Sequence, residues 1–94
     1  MNPKPIKKIL VIQQKMIGDV LISSLLCSHF KVLYPQAQVH YAIHQGTKAV
    51  VQGHPDIDQF ILSTPKKSWN QWRKLINQIK KEQYDLILDA YGKL

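Results

Sequence analysis

Ile6–Ile12 is a short, mostly β-branched apolar run that follows a polar tail containing Pro3 and Pro5, and it predicts a buried strand. Gln13–Gly18 starts polar and ends in glycine, which predicts a loop. From Asp19 the period changes: Val20, Leu21, Leu25, Leu26, Cys27, Phe30 and Leu33 recur at helical spacing as one broad apolar stripe. Tyr34-Pro35 closes that helix, because the residue before a proline is pushed out of the α region.

Alternation returns in Val39–Ile43, the second predicted strand. Gly46 or Thr47 then opens a short helix through Val50 and Val51, Gly53-His54-Pro55-Asp56 is a dense turn signal, and Gln59–Leu62 is a third, short strand. Ser63–Ser68 is a loop holding Pro65 and the pair Lys66-Lys67, with Ser68 placed to cap the next helix. On that helix Trp69, Trp72, Leu75, Ile76 and Ile79 share one face, while Arg73, Lys74, Lys80 and Lys81 share the other. Tyr84–Ala90 is a fourth strand, apolar through its centre as a strand covered on both faces must be. The order β-α-β-α-β-α-β, with crossovers long enough to return the chain for parallel pairing, predicts an α/β fold: an open, doubly wound parallel sheet of Rossmann-like type with right-handed crossovers.

The 94 residues allow one small domain, which buries only roughly 60% of its unfolded surface. Natural domains seldom stop a few residues past a buried strand, so the expectation is a partial N-terminal domain whose later strands and second domain lie outside this chain. Thirteen Lys and Arg against six Asp and Glu give a net charge of +7, which favours an anionic partner if the charge is concentrated at a site. Cys27 is the single cysteine, so neither an internal disulfide nor a thiolate metal cluster is possible; a reducing cytoplasm fits this usage. The apolar run Ile9–Ile12 is too short for a signal-peptide core or a membrane span.

In an open α/β sheet, ligands collect outside the carboxyl ends of the strands. Those ends are Gln13–Asp19, His44–Thr47, Ser63–Ser68 and Tyr91–Lys93. The first holds neither the G-x-G-x-x-G of dinucleotide sites nor a P-loop; a single Gly18 precedes Asp19 at a helix start. Asp19 is either the helix cap, or a carboxylate that projects into the cleft and accepts a proton from a substrate hydroxyl. The two roles conflict, because backbone N–H bonds lower a carboxylate's basicity. Lys66 and Lys67, with Arg73 a turn or so into the next helix, form either a solvated basic face or a clamp for carboxylate or phosphate. Of the four histidines only His44 is placed to reach the cleft, and none has the neighbours a metal site needs.

Lys8-Ile9-Leu10-Val11-Ile12 followed by Ile17-Gly18-Asp19-Val20-Leu21 resembles the opening of the ADP-heptose:lipopolysaccharide heptosyltransferases, members of glycosyltransferase family 9 with GT-B architecture. Tyr34-Pro35, His54-Pro55-Asp56-Ile57-Asp58 and Tyr84-Asp85-Leu86-Ile87-Leu88-Asp89 leading to Gly92 continue the resemblance in order, from about Lys8 to Leu94. It implies an inverting, metal-independent transfer of a heptose to the acidic inner core of lipopolysaccharide, without a cofactor. The position of the acceptor-deprotonating aspartate falls on Asp19, and acceptor-binding positions fall on Lys15, Gly18, Lys66, Lys67 and Arg73. The nucleotide-sugar donor, ADP-heptose, is expected on the C-terminal domain, so this chain alone is expected to be inactive. A cytoplasmic protein, with peripheral contact to the inner membrane and no specific nucleic-acid partner, follows from the same resemblance. The competing function is a non-catalytic basic module binding nucleic acid or acidic lipid, whose affinity would fall steeply with salt and ignore Asp19.

Overall fold

The computed structural model describes residues 5–63 and 69–90, with the backbone alone at 69–72. In order they form β1 (Lys8–Gln13), α1 (Ile17–Leu33), β2 (Gln38–His44), a 3₁₀ helix (Gln45–Val50), β3 (Gln59–Ser63), α2 (Trp69–Glu82) and β4 (Leu86–Asp89). Every strand pairing is parallel, and the sheet order is β3-β2-β1-β4. The chain therefore steps one way from β1 to β3 and then returns past β1 to β4, which puts the switch point between β1 and β4.

Strand alternation divides the core between two faces. Ile9 and Val11 of β1 join Val39, Tyr41 and Ile43 of β2 beneath Val20 and Cys27 of α1. Leu10, Ala42 and Ile61 form the other face, packed by Leu75 and Ile79 of α2 and by Tyr84. Ile9, Leu10 and Val11 expose no surface, so β1 is covered on both sides, as the apolar run predicts.

Two aspartates hold the amino ends of the strands in register by the same device. Asp58, one residue before β3, donates its N–H to the Val39 carbonyl (2.8 Å), while its Oδ2 accepts the Val39 N–H (2.8 Å). Asp85, one residue before β4, donates its N–H to the Lys8 carbonyl (2.9 Å), and its Oδ2 accepts the N–H groups of Lys7 (2.8 Å) and Lys8 (3.0 Å). Lys31, in the last turn of α1, adds an ion pair to Asp58 at 2.7 Å and also bonds the Ala37 carbonyl. Partial burial pushes the Asp58 carboxyl up, but the Lys31 ammonium and the Val39 N–H outweigh it and hold the group below its ordinary value.

α1 departs from the expected stripe. Its buried positions are Val20, Ser23, Ser24 and Cys27, whereas Leu21, Leu25 and Leu33 are exposed. Small residues win this face because they let the helix lie close on β1 and because their hydroxyls are satisfied: Ser23 Oγ accepts from Gln13 Nε2 (2.8 Å) and Ser24 Oγ donates to the Leu21 carbonyl (2.6 Å). Ile22, Leu25 and Val32, at 67–76% exposure, form an apolar outer face that no described residue covers. On α2, Ile76 is also more exposed than the face assignment implies (45%), and Arg73, Lys74, Lys80 and Lys81 are exposed as expected. The segment Gln45–Val50 is a 3₁₀ turn, and β4 is shorter than Tyr84–Ala90 because Tyr84 lies outside the ladder and packs against the α2 face. No helix among the described residues is long and apolar enough to cross a membrane.

Tyr84 reaches His40, which is buried in β2. His40 Nε2 donates to Gln38 Oε1 (3.1 Å), so its Nδ1 accepts the Tyr84 hydroxyl (2.7 Å), with the rings edge-to-face. That pattern needs a neutral imidazole, and burial pushes the His40 pKa below 6.5. The unfolded chain then binds this proton at a higher pH than the folded one. Stability is complete above the unfolded value and declines as pH falls through the window below 6.5. Urea unfolding across that window should show the decline in wild type and a smaller one in His40→Phe; equal slopes overturn the assignment. Asp85→Ala, which strips two strand-end N–H groups of their acceptor, should cost about 1–3 kcal/mol in the same assay.

Candidate functional site

At the carboxyl ends of β1 and β2 a cavity of about 640 Å³ opens, lined by Gln14, Lys15, Met16, Ile17, Gly18, His44, Gly46 and Thr47. The loop on its β1 side follows Gln13, the last residue of β1 and 3% exposed. Gln13 Nε2 donates to Ser23 Oγ and to the Ala90 carbonyl (3.2 Å) beyond β4, while its Oε1 accepts the Lys15 N–H (3.1 Å). One buried amide thus ties β1, α1, the end of β4 and the loop of the cavity together. Gln14 Oε1 accepts a short hydrogen bond from Ser63 Oγ, which ties the same loop to the end of β3.

The second wall is built by the turn after β2. His44 caps the 3₁₀ helix: its Nδ1 accepts the Gly46 N–H at 3.1 Å, and its carbonyl accepts from Thr47 Oγ1 at 2.8 Å. No carboxylate stands among the lining residues, whereas an ammonium, an imidazole and a carboxamide do. The wall is mostly apolar, and its polar side chains (Gln14, Lys15, His44 and Thr47) include donors that suit an oxygen-bearing or anionic ligand.

The structure decides between part of the alternatives for Asp19. α1 begins at Ile17, two residues earlier than the sequence pattern suggests, and its N-cap is Met16, which supplies no side-chain hydrogen bond. Gly18 and Asp19 both lie inside the first helical turn, so Gly18 does not make the turn and Asp19 does not cap the helix. The Asp19 carboxylate is exposed and receives no hydrogen bond from a described residue. It stands one residue past Gly18 but is not itself among the cavity's lining residues.

Of the other expected site residues, Lys15 and Gly18 line the cavity. Arg73 is exposed on α2 and is not among the lining residues. Lys66, Lys67, Ser68 and the segment 91–93 lie outside the described residues. Gln14 and Thr47, which also line the cavity, belong to the strand-end segments Gln13–Asp19 and His44–Thr47, where the sequence gives their position but no role of their own. Asp89, the exposed last residue of β4, is a further carboxylate at this end of the sheet. Among the described residues no group of three His, Cys, Asp or Glu could hold a metal ion. Cys27 is buried, and burial, with the Asp56 carboxylate adding, pushes its thiol up to about 12, so it is a packing residue and not a nucleophile.

No protein-family model matches the chain, and no curated protein matches it either. Among solved structures it is similar to the crystal structure of the glycosyl transferase family 9 from Veillonella parvula, with a TM-score of 0.81 and 20% sequence identity. The likeness covers 94% of this chain and 27% of that one, so the chain spans about a quarter of its structural relative. At that identity the likeness shows a shared fold, and it agrees with the open parallel α/β sheet described above.

Gly18 has no internal reason to be glycine. A Cβ built on it meets nothing within 4 Å, and its backbone is not in the left-handed region. Gly18→Ala should therefore leave the melting temperature unchanged or raise stability by up to about 1 kcal/mol, since glycine is the poorer helix residue. A lower melting temperature than wild type overturns the conclusion that the space above Gly18 is open.

Proposed function

We propose that this chain is the acceptor-side part of an inverting glycosyltransferase similar to the lipopolysaccharide heptosyltransferases. The observation that carries the proposal is the likeness in fold, over 94% of the chain, to a glycosyl transferase family 9 structure. It is supported by the Ile17-Gly18-Asp19 segment following the carboxyl end of β1, beside a cavity whose wall includes the donors Lys15 and His44. The acceptor is an acidic glycolipid of the lipopolysaccharide core, and the donor is a nucleotide sugar, ADP-heptose, held by a part of the protein outside these 94 residues.

Asp19 takes the proton from the acceptor hydroxyl. The oxygen then attacks the anomeric carbon from the face opposite the nucleotide, which departs with the bonding electrons. A carboxylate free of capping bonds is available for this, unlike Asp58 and Asp85, which are committed to backbone N–H groups. The reaction as proposed takes no cofactor. Lys15, with Lys66, Lys67 and Arg73, holds the acidic groups of the acceptor. The protein acts in the cytoplasm, and the exposed apolar face of α1 (Ile22, Leu25 and Val32) supports peripheral contact with the inner membrane that presents such an acceptor.

The test uses the protein with its donor-binding part. Asp19→Asn should lower transfer by about 10²–10⁴-fold, with the melting temperature almost unchanged because Met16, not Asp19, is the cap. Activity within a few-fold of wild type removes Asp19 as the base. Lys66→Ala together with Lys67→Ala should raise KM for the acceptor and leave KM for the donor alone. A basic module that only binds anions would bind as well with Asp19→Asn and show no turnover with any nucleotide sugar.

A further inference from the structure

His44 is held in one orientation at the mouth of the cavity. Its Nδ1 is occupied by the Gly46 N–H, and its main-chain carbonyl by Thr47 Oγ1, a residue only 8% exposed. Gly46 presents bare backbone to the ring; a Cβ there would come within 3.4 Å of Nδ1. An Nδ1 that accepts a backbone N–H cannot carry a proton, so the neutral ring bears its hydrogen on Nε2. Nε2–H has no hydrogen-bond partner among the described residues, and half-buried His44 lines the same cavity as Lys15 and Gly18.

We infer that His44 is an acceptor-positioning residue: its Nε2–H donates to an oxygen of the acidic sugar that enters the cavity. This rests on the proposal that the cavity receives such a sugar, and it adds a role that the Gly18-Asp19 segment does not carry. The imidazole supplies a donor whose direction is set before the ligand arrives, so little rotamer entropy is lost on binding. In the same lining Gln14 is similarly fixed, with Oε1 engaged by Ser63, the β3 partner of His44, which leaves its amide hydrogens as donors. Two oriented side-chain donors, His44 at the end of β2 and Gln14 in the loop after β1, then fix both the position and the rotation of one sugar ring.

Asn and Gln separate the two edges of the ring. Asn reproduces the Nδ1 position, so His44→Asn keeps an acceptor for the Gly46 N–H and deletes the distal donor. Gln reaches the Nε2 position, so His44→Gln keeps a distal donor and loses the cap. Binding is followed on this chain by ¹H–¹⁵N NMR with glucuronate as the acidic probe and glucose as the neutral control. The wild-type imidazole nitrogens should report the Nε2–H form and shift as glucuronate is added. His44→Asn should weaken glucuronate binding about ten-fold with the melting temperature near wild type, and His44→Gln should retain affinity within about three-fold despite a lower melting temperature. If His44→Asn binds glucuronate as wild type does, His44 is only a cap and the inference fails while the acceptor-site proposal stands. If glucuronate leaves the Gly18, His44 and Thr47 signals of wild type unmoved, both fail at this cavity, whatever Asp19→Asn does to transfer.

Discussion

Burial of β1 on both faces is the constraint on which the rest of this structure depends. Ile9, Leu10 and Val11 expose nothing, and β1 pairs with β2 on one side and β4 on the other. A strand in that position can pair in only one register, because a one-residue slip would exchange the residues facing α1 with those facing α2. The strand must also end somewhere, and it ends in Gln13, whose buried amide is satisfied by α1, by Ala90 beyond β4 and by the backbone of Lys15. The cavity loop is thus attached to a strand buried on both faces. The cavity lies at the carboxyl ends of β1 and β2, the side of an open parallel sheet where ligands collect, one strand away from the switch point between β1 and β4.

The carboxylates are divided between the two ends of the sheet. At the amino end, Asp58 and Asp85 each precede a strand by one residue and accept backbone N–H groups of the neighbouring strand, which closes the ladder where it would otherwise fray. At the carboxyl end, Asp19 carries no such bond, and the cavity beside it presents donors. This division separates three aspartates by what their carboxylates contact. Two are consumed by the backbone, and the third keeps its lone pairs for something outside the described chain.

The outer face of α1 follows from the same economy of space. Close approach of α1 to the sheet selects Ser23, Ser24 and Cys27 for the inner face, and the larger Ile22, Leu25 and Val32 are left outside. An apolar surface of that kind on a chain with a net charge of +7 sits at the border between a core and an interaction surface. It also shows why total hydrophobicity along a helix is a poor guide to which side is buried when the partner is a strand rather than another helix.

Much of the fold could be read from the chain alone. Period-two and period-3.6 patterns located all four strands and both long helices, and the alternation of strand and helix implied the parallel, doubly wound sheet, because those signals are local and repeat. The carboxyl-end rule also singled out the segments of Lys15, Gly18 and His44, which line the cavity. The three-dimensional structure decided the rest. It placed the helix start at Ile17, removing the cap from Asp19, and it chose serines over leucines for the buried face of α1. It also gave Asp58 and Asp85 their backbone partners and turned His44 into a fixed donor by closing the Gly46 N–H on its ring. Each of those outcomes depends on contacts between segments distant in the chain, or on backbone angles at a turn, and neither leaves a periodic trace in the order of residues.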